Sequence, residues 1–207
     1  MKDKKLSSVV LIVYLLSCAA FGSFVLAEEQ AATPAPAMDE AIMAQAKAYA
    51  TPGENHKVLE VFVGKWEATV KSWMDSKSEP MVSQSQSNSE WILGGRFIQE
   101  KFSGTFMNEP YEGIGLFGYD NIQKEYQYFW LDNMGTGVAK ITSQYDPASK
   151  TFTEEGSVSC PITNDKRAIR GKITLVDNDH FVQEFFMKDL KTGEEFRSME
   201  ISYSRVK

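Results

Sequence analysis

Gly64-Lys65-Trp66 is the point at which this chain changes its period. Upstream, Glu54 to Val63 carries Val58, Leu59 and Phe62 at helical spacing. Downstream, the pattern becomes twofold and stays so as far as Tyr203-Ser204-Arg205. A glycine lets the backbone turn sharply out of a helix, and Trp66 opens the first alternating segment with a large apolar ring. The tripeptide reads as the closing point of a β-structure whose last strand ends at Arg205.

The segments between those two ends support that reading. Trp66–Trp73, Ser83–Leu93, Gly95–Ser103, Tyr111–Tyr119, Glu125–Asp132, Gly137–Tyr145, Thr151–Ser159, Ala168–Val176, His180–Met187 and Glu195–Tyr203 all have strand composition. They are separated by turn chemistry such as Leu93-Gly94-Gly95, Asn108-Glu109-Pro110, Asp146-Pro147 and Lys191-Thr192-Gly193. About ten short strands joined by tight turns form an antiparallel meander, and closure removes the exposed edges that so long an open sheet would leave. The expected fold is therefore all-β: an antiparallel up-and-down barrel with one or two short N-terminal helices.

Within this pattern two strands look buried on both faces: Tyr126-Gln127-Tyr128-Phe129-Trp130-Leu131 and His180–Met187. Ser83, Ser85, Ser87 and Ser89 alternate with Gln84, Gln86, Asn88 and Glu90, which predicts an edge strand or one lining a wet surface. Gly113, Gly115 and Gly118 on one strand predict a sharp bend or close backbone packing.

The N-terminal part divides differently. Lys2, Lys4 and Lys5 precede the apolar run Leu6–Leu16, and Val25-Leu26-Ala27 offers a cleavage site, so residues 1–27 read as a signal peptide. Leu15-Leu16-Ser17-Cys18 resembles a bacterial lipobox and offers lipidation at Cys18 instead; an uncleaved anchor is a third route. Each puts the folded part outside the cytoplasm, periplasmic or secreted. Residues 28–50 read as a flexible tether followed by a short helix, and 51–207 as the barrel domain. With Cys18 removed, Cys160 is the sole cysteine and no internal disulfide can form. Removal of the leader leaves 22 − 3 = 19 basic and 28 − 1 = 27 acidic residues, net −8. Such a charge repels phosphate backbones and anionic lipid, which excludes a nucleic-acid partner and restricts any membrane contact to the leader or a lipid anchor.

A longer set of motifs carries a resemblance. Thr51-Pro52-Gly53-Glu54-Asn55-His56-Lys57, Gly64-Lys65-Trp66, Gly94-Gly95-Arg96-Phe97, Gly118-Tyr119-Asp120 and Ser202-Tyr203-Ser204-Arg205 resemble the DUF1579 family of uncharacterised bacterial proteins with a calycin-like barrel. The resemblance implies a lipocalin-like fold in which an arginine of the last strand packs over the first-strand tryptophan, so Gly64, Trp66 and Arg205 would form a structural latch. It implies no activity.

Catalytic motifs are missing from the sequence: there is no P-loop, nucleophile elbow, zinc-protease helix or paired-cysteine site. His56 and Glu60 stand four apart on a helical stretch without a visible third ligand, and Asp177, Asp179 and His180 are explained by a hairpin turn, so no metal and no cofactor is expected. A haem site by analogy to nitrobindin lacks a clearly interior histidine. The residues that point to a pocket are polar groups on otherwise apolar strands: Arg96, Glu100 and Asp132, with Arg170 in a comparable place. A buried charge needs a partner, which predicts Arg96 paired with Asp132 or Glu100. Trp73, Trp91, Tyr128 and Trp130 would line the apolar body of a small-molecule site. The functional expectation is binding of a small apolar or amphipathic molecule. The alternatives are a hydrolase or isomerase using Asp132 or Glu100, and a non-catalytic interaction module that forms a homodimer through residues 38–50 and the serine-rich strand.

Overall fold

The computed structural model describes residues 39–207. The expected signal peptide, the lipobox at Cys18 and the tether all lie outside the described residues. Helix α1 (Glu40–Ala50) is capped by Asp39, whose Oδ1 accepts from the Ala41 N–H at 2.8 Å. None of its residues is buried. Among the described residues no helix is long and apolar enough to cross a membrane.

Ten strands follow: β1 (Gly64–Ser72), β2 (Met81–Ile92), β3 (Phe97–Phe106), β4 (Glu109–Asp120), β5 (Glu125–Asp132), β6 (Ala139–Asp146), β7 (Thr151–Cys160), β8 (Asp165–Leu175), β9 (His180–Lys188) and β10 (Glu195–Arg205). Each pairs antiparallel with its sequence neighbours, and β10 pairs with β1, so the sheet is a closed barrel. The expected up-and-down barrel is thus the observed fold.

One face of each strand points inward. Trp66 and Ala68 of β1, Ile98 and Phe102 of β3, Phe117 of β4, Tyr126 of β5, Phe152 of β7, Ile173 of β8, Phe181 of β9 and Ile201 and Tyr203 of β10 form a continuous buried cluster. The closed sheet also corrects two expectations. β2 is not an edge strand, because it bonds β1 over residues 81–89 and β3 over residues 86–92; its serines face inward and Ser85, Ser87 and Ser89 are buried. β5 is not buried on both faces, since Leu131 on its outer side is 40% exposed. Gly113 and Gly115 do mark close packing, but of side chains: a β-carbon there would come within 2.2 Å of the Trp130 ring and 2.6 Å of the Tyr128 hydroxyl.

The strand starts of β1, β3, β5, β7 and β9 gather at one end, and this end is plugged. A short helix α2 (Glu54–Val58) runs into a 3-10 turn, Leu59–Phe62. Gly53 stands at its N-terminus, with the Gly53 N–H donating to His56 Nδ1 at 3.1 Å. Leu59 and Phe62 enter the barrel, where Phe62 meets the rings of Phe117, Phe152 and Phe181. Trp66, 1% exposed, donates its indole N–H to the Phe62 carbonyl at 2.9 Å. The Arg205 guanidinium lies 4.1 Å above the Trp66 ring and donates to the carbonyls of Val63 (2.6 Å), Val61 (2.9 Å) and Asn178 (2.9 Å). Gly64 has φ +126°, and a β-carbon there would stand 2.6 Å from Arg205 Nη1. Backbone conformation and space therefore both demand glycine at this site.

Candidate functional site

The end opposite the plug carries a cavity of about 400 Å³, the size of a small-ligand site. Its mouth lies by Met74 and Met134, each more than half exposed. The aromatic part of its wall comes from Trp73, Phe102, Phe106, Tyr111, Tyr128 and Trp130, while Ser83 and Ser85 of β2 leave room on their side. Trp73 is held at the rim because its backbone N–H donates to the Ser198 carbonyl, at a bulge in β10, and Arg197 covers its ring at 4.7 Å.

Asp132 is the carboxylate of this upper chamber. Its Oδ2 accepts from Trp130 Nε1 at 2.9 Å and from the Tyr111 hydroxyl at 3.2 Å, and its Oδ1 accepts from the Met134 N–H at 2.9 Å. The two rings it ties together are stacked. Burial, then the Asp132 charge, pushes the Tyr111 hydroxyl well above its usual range.

Beneath lies a second chamber of about 30 Å³, room for one or two waters. Tyr128, Gln183 and Tyr203 line both chambers and form the partition. The lower chamber is faced by two glutamates. Glu100 accepts from the Ser87 hydroxyl at 2.7 Å and the Tyr128 hydroxyl at 3.1 Å. Burial raises its carboxyl despite those bonds. Glu154, 1% exposed, faces Gln183 Nε2 at 3.3 and 3.4 Å, and burial pushes its carboxyl up to about 7. Burial and the nearby Glu100 charge raise the hydroxyls of Tyr128 and Tyr203, which stay neutral.

The residues expected from the sequence are therefore divided. Trp73, Tyr128, Trp130 and Asp132 line the upper chamber and Glu100 the lower one. Trp91 and Arg96 are at the plugged end: Trp91 donates to Glu60, and Arg96, exposed in the β2–β3 turn, donates to the Leu93 carbonyl at 3.0 Å. The predicted pairing of Arg96 with Asp132 or Glu100 is corrected accordingly, because the turn carries Arg96 away from both. Arg170 faces outward and pairs with Glu195. His56 sits in the plug, its pKa lowered by burial and then by Arg96, while His180 bonds Asp177 at 2.9 Å; neither lines a chamber. Asp179 of the same turn bonds Arg205 at 3.2 Å and so belongs to the latch. Glu154, Gln183, Tyr203 and Tyr111 are polar site residues that sequence reasoning passes over. A signal existed for the first: Glu154 stands in phase with Phe152 and Val158 on an otherwise apolar face.

A family model described as "Protein of unknown function (DUF1579)" matches residues 51–205. No curated protein matches the chain. Among solved structures, the chain is similar to the S-type phycobiliprotein lyase CPES from Guillardia theta, at 14% identity and TM-score 0.52, over 78% of this chain and 97% of that one. It is also similar to Rv2717c from M. tuberculosis, at 11% identity and TM-score 0.57, over 76% and 100% of the respective chains. At such identities the likeness is one of fold.

Proposed function

The chain belongs to the DUF1579 family, and we propose that it binds a small apolar or amphipathic molecule in the upper chamber of its barrel. The observation that carries this reading is the cavity of about 400 Å³, walled by aromatic and aliphatic side chains with a few placed polar groups. The phycobiliprotein lyase named above is a barrel of similar fold, which agrees with a small-molecule role. Export, periplasmic or secreted, is part of the proposal and stands on Lys2, Lys4, Lys5 and the apolar run after them. Native mass spectrometry of protein purified from its own host is the test. A retained small molecule, released on denaturation, is the expected result. A companion variant, Ser83→Phe, narrows the chamber and should abolish binding of an environment-sensitive apolar dye. A folded variant that binds the dye unchanged would sink the reading.

One observation favours a second reading. Glu100 is an interior carboxyl beside hydroxyl donors, and Glu154 is held near neutrality, the range in which a general acid or base works best. The enzyme would be a hydrolase or isomerase acting on a carbonyl or ester group at the partition. Turnover of an ester panel that persists in both Glu100→Gln and Glu154→Gln would rule this out.

A further inference from the structure

The interior charges of this barrel carry one sign. Glu100 and Glu154 face the lower chamber and Asp132 the upper, and among the described residues no lysine, arginine or histidine lines either. Asp132 accepts three hydrogen bonds, from Trp130, Tyr111 and Met134, and Glu154 is less well supplied. An ionised carboxylate offers about four acceptor sites, yet this buried one faces a single amide at 3.3 and 3.4 Å. Room is kept for it: Gly171 stands opposite on β8, and a β-carbon there would lie 2.4 Å from Glu154 Oε2.

A fatty acid would bring another acidic group into this dry interior with no cation to meet it, which is costly. An ammonium group reverses each term. It has three donors and no acceptor, and it matches the water-sized lower chamber. Resting on the reading of the upper chamber as a binding site, we propose that the ligand is an amphipathic primary amine. Its apolar body fills the upper chamber, and its ammonium passes between Tyr128, Gln183 and Tyr203 to meet Glu154 and Glu100.

Titration follows from the same arrangement. The groups that face Glu154 and can ionise are Glu100, Tyr128 and Tyr203, and burial keeps both tyrosines neutral. Near pH 6 Glu154 is largely protonated, so an arriving ammonium displaces a proton and affinity rises as pH increases toward 8.

The experiment titrates decylamine, decanol and decanoate into the full protein by calorimetry, below micelle-forming concentrations. Decylamine should bind roughly tenfold or more tighter than decanol, and decanoate weakest. Glu154→Gln and Glu100→Gln should each weaken decylamine by roughly tenfold while leaving decanol within about twofold. Decanoate binding as tightly as decylamine overturns the proposal. Both glutamine variants keeping the wild-type affinity for decylamine overturns it too, since the amine would then be adsorbed on the acidic surface. A loss of decanol and decylamine together assigns the glutamates a purely structural role and overturns it as well. If none of the three probes enters the wild-type protein, the binding reading of the cavity itself fails.

Discussion

Glu154 stands directly across the β7–β8 pair from Gly171, and its carboxyl occupies the space that a side chain on that glycine would need. The two positions form one unit: a buried acid and the gap that admits it. Gly171→Ala should cost about 1–3 kcal/mol by overpacking, and the cost should shrink when Glu154 is also alanine. Urea denaturation of the single and double variants measures the coupling. Strict additivity would show that the acid and the glycine do not share this space.

The same acid sets a pH slope on stability. Its carboxyl titrates near 4.5 in the unfolded chain and at about 7 in the folded one, so the folded state binds the extra proton between those values. Stability therefore falls as pH rises from about 4.5 to 7 and then levels, by roughly 3 kcal/mol for this one group. Glu154→Gln should flatten that part of the profile and be more stable than wild type at pH 8. Thermal denaturation from pH 5 to pH 8 reads both. A Glu154→Gln profile with the same slope as the wild type over this range would refute the assignment.

At the plugged end, Trp66→Ala should cost about 3–5 kcal/mol, as for other large aromatic truncations in a core. Gly64→Ala should cost about 1–3 kcal/mol, since it forces a side chain into a left-handed φ and against Arg205. Neither residue lines the upper chamber. Wherever the variants stay folded, affinity for an apolar dye should be that of the wild type; a change in affinity would mean that the plugged end is coupled to the upper chamber.

The mouth has its own acid-sensitive fastening. Asp189 accepts from the Ser76 N–H (3.0 Å), the Ser76 hydroxyl (2.9 Å), the Lys191 N–H (2.8 Å) and the Thr192 N–H (3.1 Å), and so ties the β1–β2 loop to the β9–β10 loop. These bonds hold its carboxyl well below the ordinary carboxylate range. The stabilisation is present above the unfolded value and is lost as pH falls through the lowered one. Asp189→Ala should speed hydrogen exchange at residues 74–78 and 189–194 at neutral pH and leave the barrel strands protected. Uniform exchange across the strands would show that the fastening supports the whole fold.

The barrel was legible because its evidence is local and repeated: twofold alternation, turn residues between strands, and a glycine-x-tryptophan answered by an arginine at Arg205. The site was harder to read. Tyr128, Trp130 and Asp132 could be found because aromatic and acidic residues sit on one face of β5. Trp91 and Arg96 lie on or beside strands of the same composition, but a position along a strand does not say which end of the barrel it will reach. That depends on the direction of each strand and on where the plug enters. Glu154 went unnamed because a single acid in phase with apolar residues, Phe152 and Val158, looks like noise until Gln183 and Gly171 close around it.

The inward serines of β2 have a further consequence. Bulk is missing along that one wall, and at Ser83 and Ser85 backbone pairing with β1, not a side-chain hydrogen bond, holds the strand in place. The interior can therefore be resized one residue at a time at Ser83 or Ser85, with the barrel's frame untouched. A single strand acts as an adjustable gauge for the size of guest the molecule accepts.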